Sequence, residues 1–366
     1  ERERNKWYGM VDYGDMQMTH AREDYNAPVG PDDPERFRWL FDIGGHAWTN
    51  SEYRPDQGMW LTFFRTGRPD YFKAIAAMTR HNRDLDMYHW GNFKGSGSRH
   101  NVNHWGCGDK EWRISNPISM RWHYYLTGDV RTLETMEEAI STYQSYRDMD
   151  TGTYTGGGAL MCGMLVKSEL TGASRELQAL GNLADVYAGA VSSAGMFATR
   201  MHIDALTGKG TVIGDLEKEG GLFFLLGFGA MQTLVEVAEL LDHQPLSDAL
   251  MRHAVSRLRG PCKPNFDHIH VFAHAWRRTG DRRFLAFIRK SLTSLKTDLH
   301  PRGCPGGCLD MPPHFAPVIS RKQTCWILGS IGTQAAFGMS ALAGRSSRSR
   351  HLPGHGKQDT QGVGTR

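Results

Sequence analysis

A recurring Thr-Gly step between helical stretches constrains the fold of this chain more than any other feature. In four places, bulky aromatic or apolar residues are followed by Thr-Gly and then by the start of another helical stretch: residues 63–70, 124–129, 169–172 and 276–281. Glycine after the last helical turn supplies the left-handed conformation that ends a helix, and a nearby Asp or Ser caps the next one. Each copy therefore predicts a helical hairpin.

A degenerate fifth copy, Glu-Leu-Leu-Asp-His at residues 239–243, lies in the long gap between Thr171 and Thr279. With it, the copies are roughly 40 to 70 residues apart, which is longer and less regular than tetratricopeptide or ankyrin repeats. Strand-like alternation is scarce. The sequence predicts an all-α fold over residues 1–343, a complete or incomplete (α/α)6 toroid of helical hairpins. An open stack of the same hairpins is the structural alternative.

Composition limits the classes of partner. The chain has 366 residues, 40% of them hydrophobic and 22% charged, with a formal net charge of +4. This charge suits an anionic substrate, but the Lys and Arg runs of a nucleic-acid-binding protein are missing. The most apolar window, residues 221–230, is far shorter than the roughly 20 residues that span a bilayer. We expect no nucleic-acid partner and no membrane segment.

The two ends of the chain have their own composition. The first residues, Glu-Arg-Glu-Arg-Asn-Lys, carry no apolar segment typical of a secretory signal, and the abrupt start suggests a domain excised from a longer chain. Residues 344–366 consist mostly of Gly, Ser, Arg, His, Gln and Thr. Such a segment buries too little apolar surface to offset the entropy of ordering, so it is predicted to be a disordered basic tail.

Residues 88–112 form the strongest candidate for a functional site. They combine histidines, asparagines and cations with four Trp or Phe rings around a glycine-rich loop. A buried polar atom without a partner costs about 1–3 kcal/mol, so this mixture is poor core material. Aromatic faces suit a sugar ring, and imidazole transfers protons near neutral pH. The expected ligand is an acidic carbohydrate, contacted by His89 and Trp105.

Residues Arg99-His100-Asn101, together with His104, match the needs of β-elimination on a uronic-acid polymer. The proton on C5 becomes removable only when donors neutralise the neighbouring carboxylate. A base then takes that proton, and an acid protonates the leaving O4. We expect Arg99 and Asn101 to neutralise the carboxylate and His100 or His104 to be the base.

Two upstream segments offer the acid. Tyr13 lies in residues 7–15 and Tyr53 in residues 42–54, and both segments join aromatic faces to carboxylates and small residues. Either tyrosine is the predicted acid, although a tyrosine beside tryptophan is also typical of packing. The other substrate contacts predicted from these segments are Asp15, His46, Trp48, Asn50 and Glu52.

The histidine pair leaves two alternatives open. On a helix, His100 and His104 share a face, a spacing that suits a divalent metal. His89 or Asp109 would then be a further ligand. Purely structural histidines are the second alternative.

Other groups leave alternatives of their own. Asp12, Asp15 and Glu52 are suited to be the paired carboxylates of a glycoside hydrolase. A toroid that binds carbohydrate without cleaving it is the non-enzymatic alternative. His270 and His274 also share a helical face, and we expect them to be structural histidines with satisfied hydrogen bonds rather than ligands of a metal or substrate.

Several segments together resemble a known family. They are Trp7-Tyr8-Gly9, Asp12 to Asp15, Asp42 to Gly45, Ala47-Trp48, Asn50 to Glu52, Arg65 to Arg68, Ala77 to His81, Tyr88-His89, Gly97 to Val102 and His104 to Cys107. This combination resembles the central toroid of the exo-rhamnogalacturonan lyase and YetA-like family of polysaccharide lyases. The resemblance covers residues 7 to about 130.

The resemblance implies an α/α toroid, normally flanked by β-domains, that acts on acidic polysaccharide outside the cytoplasm. It also implies a carbon-oxygen lyase, either secreted or periplasmic, with rhamnogalacturonan as the leading expected substrate. Ulvan, alginate and glycosaminoglycans are the alternative substrates. No flanking β-domain is visible in the sequence, and Tyr53-Arg54-Pro55 departs from the family pattern.

Overall fold

A computed structural model of the chain describes residues 16–19, 46–49, 55–98, 110–111, 115–143, 149–150, 157–198, 200–218, 230–259, 269–298 and 319–320. Ten α-helices in these ranges pair into five successive hairpins. The hairpins are α1 (Pro55–Thr66) with α2 (Pro69–Asp84), α3 (Met120–Thr127) with α4 (Val130–Tyr143), α5 (Gly157–Thr171) with α6 (Ser174–Gly189), α7 (Ala230–Leu240) with α8 (Gln244–Arg259), and α9 (Ile269–Thr279) with α10 (Arg282–Asp298). None of these helices is long and apolar enough to cross a membrane.

The hairpins confirm the predicted role of the Thr-Gly steps. Gly67, Gly128, Gly172 and Gly280 have φ angles between 60° and 70°. Each of these glycines donates its N–H to the carbonyl four residues earlier, over 2.7–2.9 Å. The preceding threonine hydroxyl donates to the carbonyl four residues before it. The same hydroxyl accepts the N–H two residues after it, so Thr and Gly together close each helix.

The degenerate copy is also a hairpin turn. Asp242 takes the left-handed position there with φ 46°, and it is the only non-glycine residue with positive φ in the described ranges. Aspartate tolerates this conformation better than most residues do. His243 then caps α8, because its Nδ1 accepts the N–H of Leu246 over 3.1 Å.

The helices lie in an inner and an outer ring. Residues 158–166 of α5 and 269–276 of α9 are all buried, and α7 has buried residues on every face. A helix that is buried all round lies inside a fold, whereas an amphipathic helix covers it. Consecutive inner helices pack on each other, α5 on α7 and α7 on α9, while α6 packs on α8 outside them. This arrangement is the predicted α/α toroid.

Of the eight short strands in the described residues, five lie in connections between helices, two precede α1 and one follows α10. A three-stranded sheet has the order β2-β1-β8, with β1 (Met16–Thr19) antiparallel to β2 (His46–Thr49) and parallel to β8 (Ile319–Ser320). The other pairs are β3 (Gly97–Ser98) with β4 (Lys110–Glu111), and β6 (Arg200–Ile203) with both β5 (Met149–Asp150) and β7 (Gly210–Ile213). Pairing of β1 with β8 brings an early and a late segment of the chain together.

Ion pairs link the inner helices α3, α5 and α7. Arg121 of α3 is 2% exposed, and it donates to Glu169 of α5 and to Glu236 of α7, each over 2.7 Å. The Tyr125 hydroxyl donates to the other oxygen of Glu169 over 3.0 Å. Burial raises the pKa of Glu236 despite the opposing charge of Arg121. Because α3 and α7 belong to different hairpins, Arg121 joins helices across the toroid.

Candidate functional site

The two ends of the toroid differ in their connections. The short turns, which follow the inner helices, all lie at one end because inner and outer helices run antiparallel. The long connections lie at the other end, where each joins an outer helix to the next inner helix. They are residues 85–119, 144–156, 190–229 and 260–268. Loops at such an end carry binding groups on a rigid scaffold. The predicted residues Arg99 to Trp105 belong to the first of these connections.

The first described part of that connection, residues 85–98, forms a stem that is hydrogen-bonded to the helices, and we call it the pinned stem. Strands β3 and β4 pair Gly97 with Glu111 and Ser98 with Lys110, so they close the chain segment that carries the predicted base. Within the stem, the N–H of Tyr88 donates to the carbonyl of Ser96 over 2.9 Å. The stem therefore fixes Ser98 beside Lys110, the two residues between which 99–109 lie in the sequence.

Gly95 lets this stem lie directly on α4. Its φ is 81°, and a Cβ at this position would lie 2.0 Å from Oγ1 of Thr142 and 2.6 Å from the carbonyl of Glu138. The Thr142 hydroxyl donates to the carbonyl of Lys94 over 2.7 Å, and Ser115 donates to the carbonyl of Gly95 over 2.6 Å. Only glycine fits both the conformation and the space.

We expect Gly95→Ala to destabilise the protein strongly. Overpacking costs about 1–3 kcal/mol, and the left-handed conformation adds roughly 1 kcal/mol for any residue with a Cβ. Gly91→Ala is the matched control, since Gly91 lies in the same stem with φ 75° but has nothing within 4 Å of its Cβ position. Urea unfolding of both variants measures the difference; equal losses would contradict the close approach.

His89 fastens the stem to the helices. Its Nδ1 lies 2.7 Å from Oε2 of Glu138, and its Nε2 lies 2.7 Å from the carbonyl of Arg83. Because the carbonyl can only accept, Nε2 donates, and both ring nitrogens are engaged by the protein. The guanidinium of Arg83 in turn donates to Asp129, which caps α4. These contacts make His89 a positioning residue; its predicted contact with substrate stays a prediction.

Most of the other predicted site residues lie outside the described residues. The register of β1 and β2 nevertheless pairs Met16 with Thr49, next in sequence to Asp15 and Asn50. The two upstream segments therefore adjoin the same end of one strand pair. His46 and Trp48 belong to β2, where only the backbone is described. The remaining predictions outside the described ranges are Tyr13, Asp15, Asn50, Glu52, Tyr53, Arg99, His100, Asn101, His104 and Trp105, as well as the 344–366 tail.

The described part of the chain contains no group of three or more His, Cys, Asp or Glu side chains that could hold a metal ion. His100, His104 and Asp109 are not within it, so the metal alternative remains a prediction. Of the second histidine group, His274 is confirmed as structural. Its Nε2 lies 2.8 Å from the Ser247 hydroxyl and its Nδ1 2.9 Å from Glu239.

A layer of buried polar side chains lies at the same end as the stem. Tyr125 and Glu169 are each two residues before the ends of α3 and α5 and are hydrogen-bonded, which shows that these inner helices end at one level. Positions eight or nine residues before the ends then lie about 12–14 Å away, at a rise of 1.5 Å per residue. Counted in the same way, Gln57, Gln232 and His270 lie near the starts of α1, α7 and α9, and Ser119 is the residue that precedes α3.

Gln57, Ser119 and Gln232 of this polar layer are buried, and some of their polar atoms have no hydrogen-bond partner among the described residues. Gln57 and Ser119 are 0% exposed and Gln232 is 8% exposed. Both amide atoms of Gln57, the Ser119 hydroxyl and the Gln232 amide oxygen have no hydrogen-bond partner there. The same is true of both amide atoms of Asn82, which is 1% exposed in the last turn of α2. Each such group costs about 1–3 kcal/mol.

Sequence reasoning missed this layer. Gln57 lies three residues after the predicted segment 42–54, and Asn82 lies six residues before the predicted segment 88–112. Polar residues on the apolar face of a helix are a usable signal. Their common level, however, depends on packing between distant hairpins.

His270 and His253 make stability depend on pH. Burial lowers the pKa of His270 to about 3, helped by the charge of Arg277. Burial also lowers that of His253 to about 4, against a hydrogen bond to the Gly195 carbonyl. Both groups stay neutral in the folded protein at pH values where the unfolded chain, with a pKa of 6.5, takes up protons.

We therefore expect the free energy of unfolding to fall as the pH drops from 6.5 toward 4. The slope is about 1 kcal/mol per pH unit for each histidine. Hydrogen bonds from His274 and Arg277 outweigh burial and lower the pKa of Glu239 from its ordinary value of 4.5 to about 2. Glu239 therefore contributes a further loss of stability only below about pH 4.5. Urea unfolding across this range measures the slope, and His270→Leu should reduce it. An unchanged slope in that variant would show that His270 does not titrate as expected.

Comparison with known proteins places this fold in a family. The family model of the PcRGLX-like protein C-terminal alpha/alpha toroid domain matches residues 1–292. The chain belongs to this family. A curated relative, the protein YetA of Bacillus subtilis (strain 168), is 46% identical over 138 residues. That stretch is 38% of this chain and 15% of YetA, so the chain matches only a small part of that protein.

Two solved structures share the fold at low sequence identity. A polysaccharide lyase superposes with a TM-score of 0.54 at 14% identity, over 83% of this chain and 92% of that one. An inactive variant of an alpha-1,6-mannanase from Salegentibacter sp. HEL1_6, in complex with alpha-1,6-mannotetrose, gives 0.53 at 11% identity, over 79% and 89%. The α/α toroid is thus shared with a lyase and with a glycoside hydrolase.

Proposed function

We propose that this chain is the catalytic toroid of a polysaccharide lyase that cleaves a uronic-acid-containing polymer by β-elimination. Rhamnogalacturonan is the leading substrate. Arg99 and Asn101 neutralise the carboxylate, and His100 or His104 removes the proton from C5. Tyr13 or Tyr53 protonates O4 as the C4–O4 bond breaks and the C4=C5 double bond forms.

The main support is the pinned stem. It fixes Ser98 and Lys110, which flank residues 99–109 in the sequence, at the long-connection end of the toroid through β3, β4, Gly95 and His89. Elimination needs base and carboxylate donors held within a fraction of an ångström, which a rigid mount favours. The paired ends of β1 and β2 adjoin both segments that carry the proposed acid.

Family membership supports the carbohydrate class, and the YetA match supports a longer parent protein. We propose that flanking β-domains accompany the toroid and that the protein works in a secreted or periplasmic location. A polymer of uronic acid does not cross a membrane unaided, so its cleavage belongs outside the cytoplasm. Periplasmic or culture-medium fractionation of the full-length protein tests this location.

The test of the activity is incubation with a panel of acidic polysaccharides: rhamnogalacturonan, ulvan, alginate and a glycosaminoglycan. Ultraviolet absorbance of an unsaturated uronate and new reducing ends are followed together, with and without a chelator. A rise in both signals is the expected result. Reducing ends without absorbance would indicate a glycoside hydrolase using Asp12, Asp15 or Glu52. The absence of both signals would overturn the enzymatic assignment.

A further inference from the structure

A groove of about 650 Å³ lies on the outer wall of the toroid, between α8 and the turn at residues 192–196. Six of its lining residues lie on one face of α8, at spacings that bring helical side chains to the same side. They are Asp248, Met251, Arg252, Val255, Ser256 and Arg259. Ser193 and Ala194 of the turn form the other wall, and both are exposed. We call this cavity the outer groove.

The turn at residues 192–196 lies directly on α8. Gly195 has a φ angle of 80°, and a Cβ at this position would lie 2.7 Å from the carbonyl oxygen of Arg252 and 2.7 Å from the side chain of Ser256. Nδ1 of the buried His253 lies 2.7 Å from the carbonyl oxygen of Gly195, so it donates to that oxygen. These contacts fix one wall of the outer groove against the helix that forms the other.

Glu217 holds the same turn in a second direction. Its Oε1 accepts the N–H of Ser193 over 2.9 Å, and its Oε2 accepts the Ser193 hydroxyl over 2.7 Å. These two bonds lower the pKa of Glu217, so its carboxylate stays charged and bound to the turn at neutral pH. Because the turn is already ordered, a ligand in the outer groove does not have to pay for ordering it.

Positive charge prevails in the half of the outer groove that is nearer to the long connections. Arg252 and Arg259 are exposed, and they are seven residues apart on α8, which is about 10.5 Å along the helix axis. The acidic lining residue Asp248 lies toward the opposite end of α8, and a guanidinium nitrogen of Arg278 lies 3.8 Å from its carboxylate. The two arginines therefore lie toward the end of the toroid that carries the pinned stem.

The lining of the outer groove suits an acidic sugar chain. Each guanidinium can pair with a carboxylate through two parallel hydrogen bonds. Met251 and Val255 lie between the two arginines in the sequence and offer apolar surface to the ring carbons of a sugar. The hydroxyl of Ser256, which donates to the carbonyl of His253, can still accept a bond from a sugar hydroxyl.

We propose that the outer groove is a second binding site for an anionic polysaccharide, in which Arg252 and Arg259 pair with carboxylates of one chain. The inference rests on the proposed function for the identity of the polymer. It goes further by assigning a place on the outer wall where the chain is held without being cleaved. A second attachment makes binding at the cleavage site intramolecular, so the protein prefers a long polymer over a short oligosaccharide.

The test removes both charges by replacing Arg252 and Arg259 together with glutamine. Affinity is measured by calorimetry with the most tightly bound of rhamnogalacturonan, ulvan, alginate and a glycosaminoglycan. We expect it to fall about tenfold or more, and the KM for cleavage of that polymer to rise by the same factor at unchanged kcat. Both constants for the shortest oligosaccharide that is still cleaved should stay the same. The melting temperature should also stay the same, because both side chains are exposed.

Arg282 and Arg289 provide a matched control. They are exposed, lie seven residues apart on the outer helix α10, and are not among the residues that line the outer groove. Replacing both with glutamine removes the same charge and should leave affinity unchanged. Equal losses in the two double variants would mean attraction by overall charge and would overturn the outer groove as a site. Single-stranded DNA that binds through Arg252 and Arg259 as tightly as the polymer would overturn its assignment to carbohydrate.

The design separates this inference from the proposed function. Cleavage by β-elimination with unchanged affinity and KM in the Arg252 and Arg259 variant would overturn the outer groove alone. Binding of polymer that weakens in this variant, without any cleavage by the unaltered protein, would support the outer groove while overturning the elimination. An unaltered protein that binds none of the four polymers would overturn both.

Discussion

Replacing both His100 and His104 by alanine is expected to reduce formation of unsaturated product by roughly 100- to 10,000-fold. That range is the usual contribution of a positioned general base. Because the carboxylate donors Arg99 and Asn101 remain, the KM for the polymer should change far less than kcat. Initial rates from ultraviolet absorbance, at several substrate concentrations, separate the two effects.

The single variants assign the base. The His100→Gln and His104→Gln changes keep a hydrogen-bonding side chain but remove proton transfer. Only the variant at the position of the true base should then show the large reduction in kcat. Added imidazole should partly restore the corresponding alanine variant. If neither histidine affects the rate, the assigned mechanism is wrong, and any elimination that remains requires another base.

Arg121→Met is expected to lower the free energy of unfolding by about 3 kcal/mol. Removing one partner of a buried ion pair usually costs about 3–5 kcal/mol, because the other partner stays charged and unpaired. The lower end applies here since the side chains of Glu169 and Glu236 are 26% and 35% exposed. Urea unfolding at neutral pH measures the loss.

Two further variants check the origin of that loss. Replacing Glu169 and Glu236 by glutamine in the Arg121→Met background should recover part of it, since no unpaired carboxylate then remains at this position. Arg68→Ala removes an exposed pair with Asp70 and should cause no measurable change. If Arg121→Met is as mild as Arg68→Ala, Arg121 does not hold the inner helices together.

The hairpins could be predicted because each turn is determined locally. A glycine with positive φ and a threonine hydroxyl that bonds on both sides lie within a few residues of each other, as at Thr127-Gly128. Asp242 satisfies the same geometry without glycine, which is why the fifth copy was degenerate. The short strands were not predicted individually, since two to four residues are too few to show alternation.

The candidate site was predictable only in part. His89 was singled out from its neighbours in sequence, but its bonds to Glu138 and to the Arg83 carbonyl depend on how α2 and α4 pack. Gln57 and Gln232 are 175 positions apart in the sequence, and only the antiparallel packing of the hairpins places both at the long-connection end of the toroid. Long-range packing of this kind leaves no local pattern to recognise.

Elimination is the central claim, and the mass balance of a single cleavage tests it most directly. A defined rhamnogalacturonan oligosaccharide is incubated with the protein, and the masses of the two fragments are measured. Elimination breaks the C4–O4 bond without adding water, so the account predicts that the two fragment masses add up to the mass of the substrate. Fragments that together exceed the substrate by one water molecule would mean hydrolysis and would contradict the account.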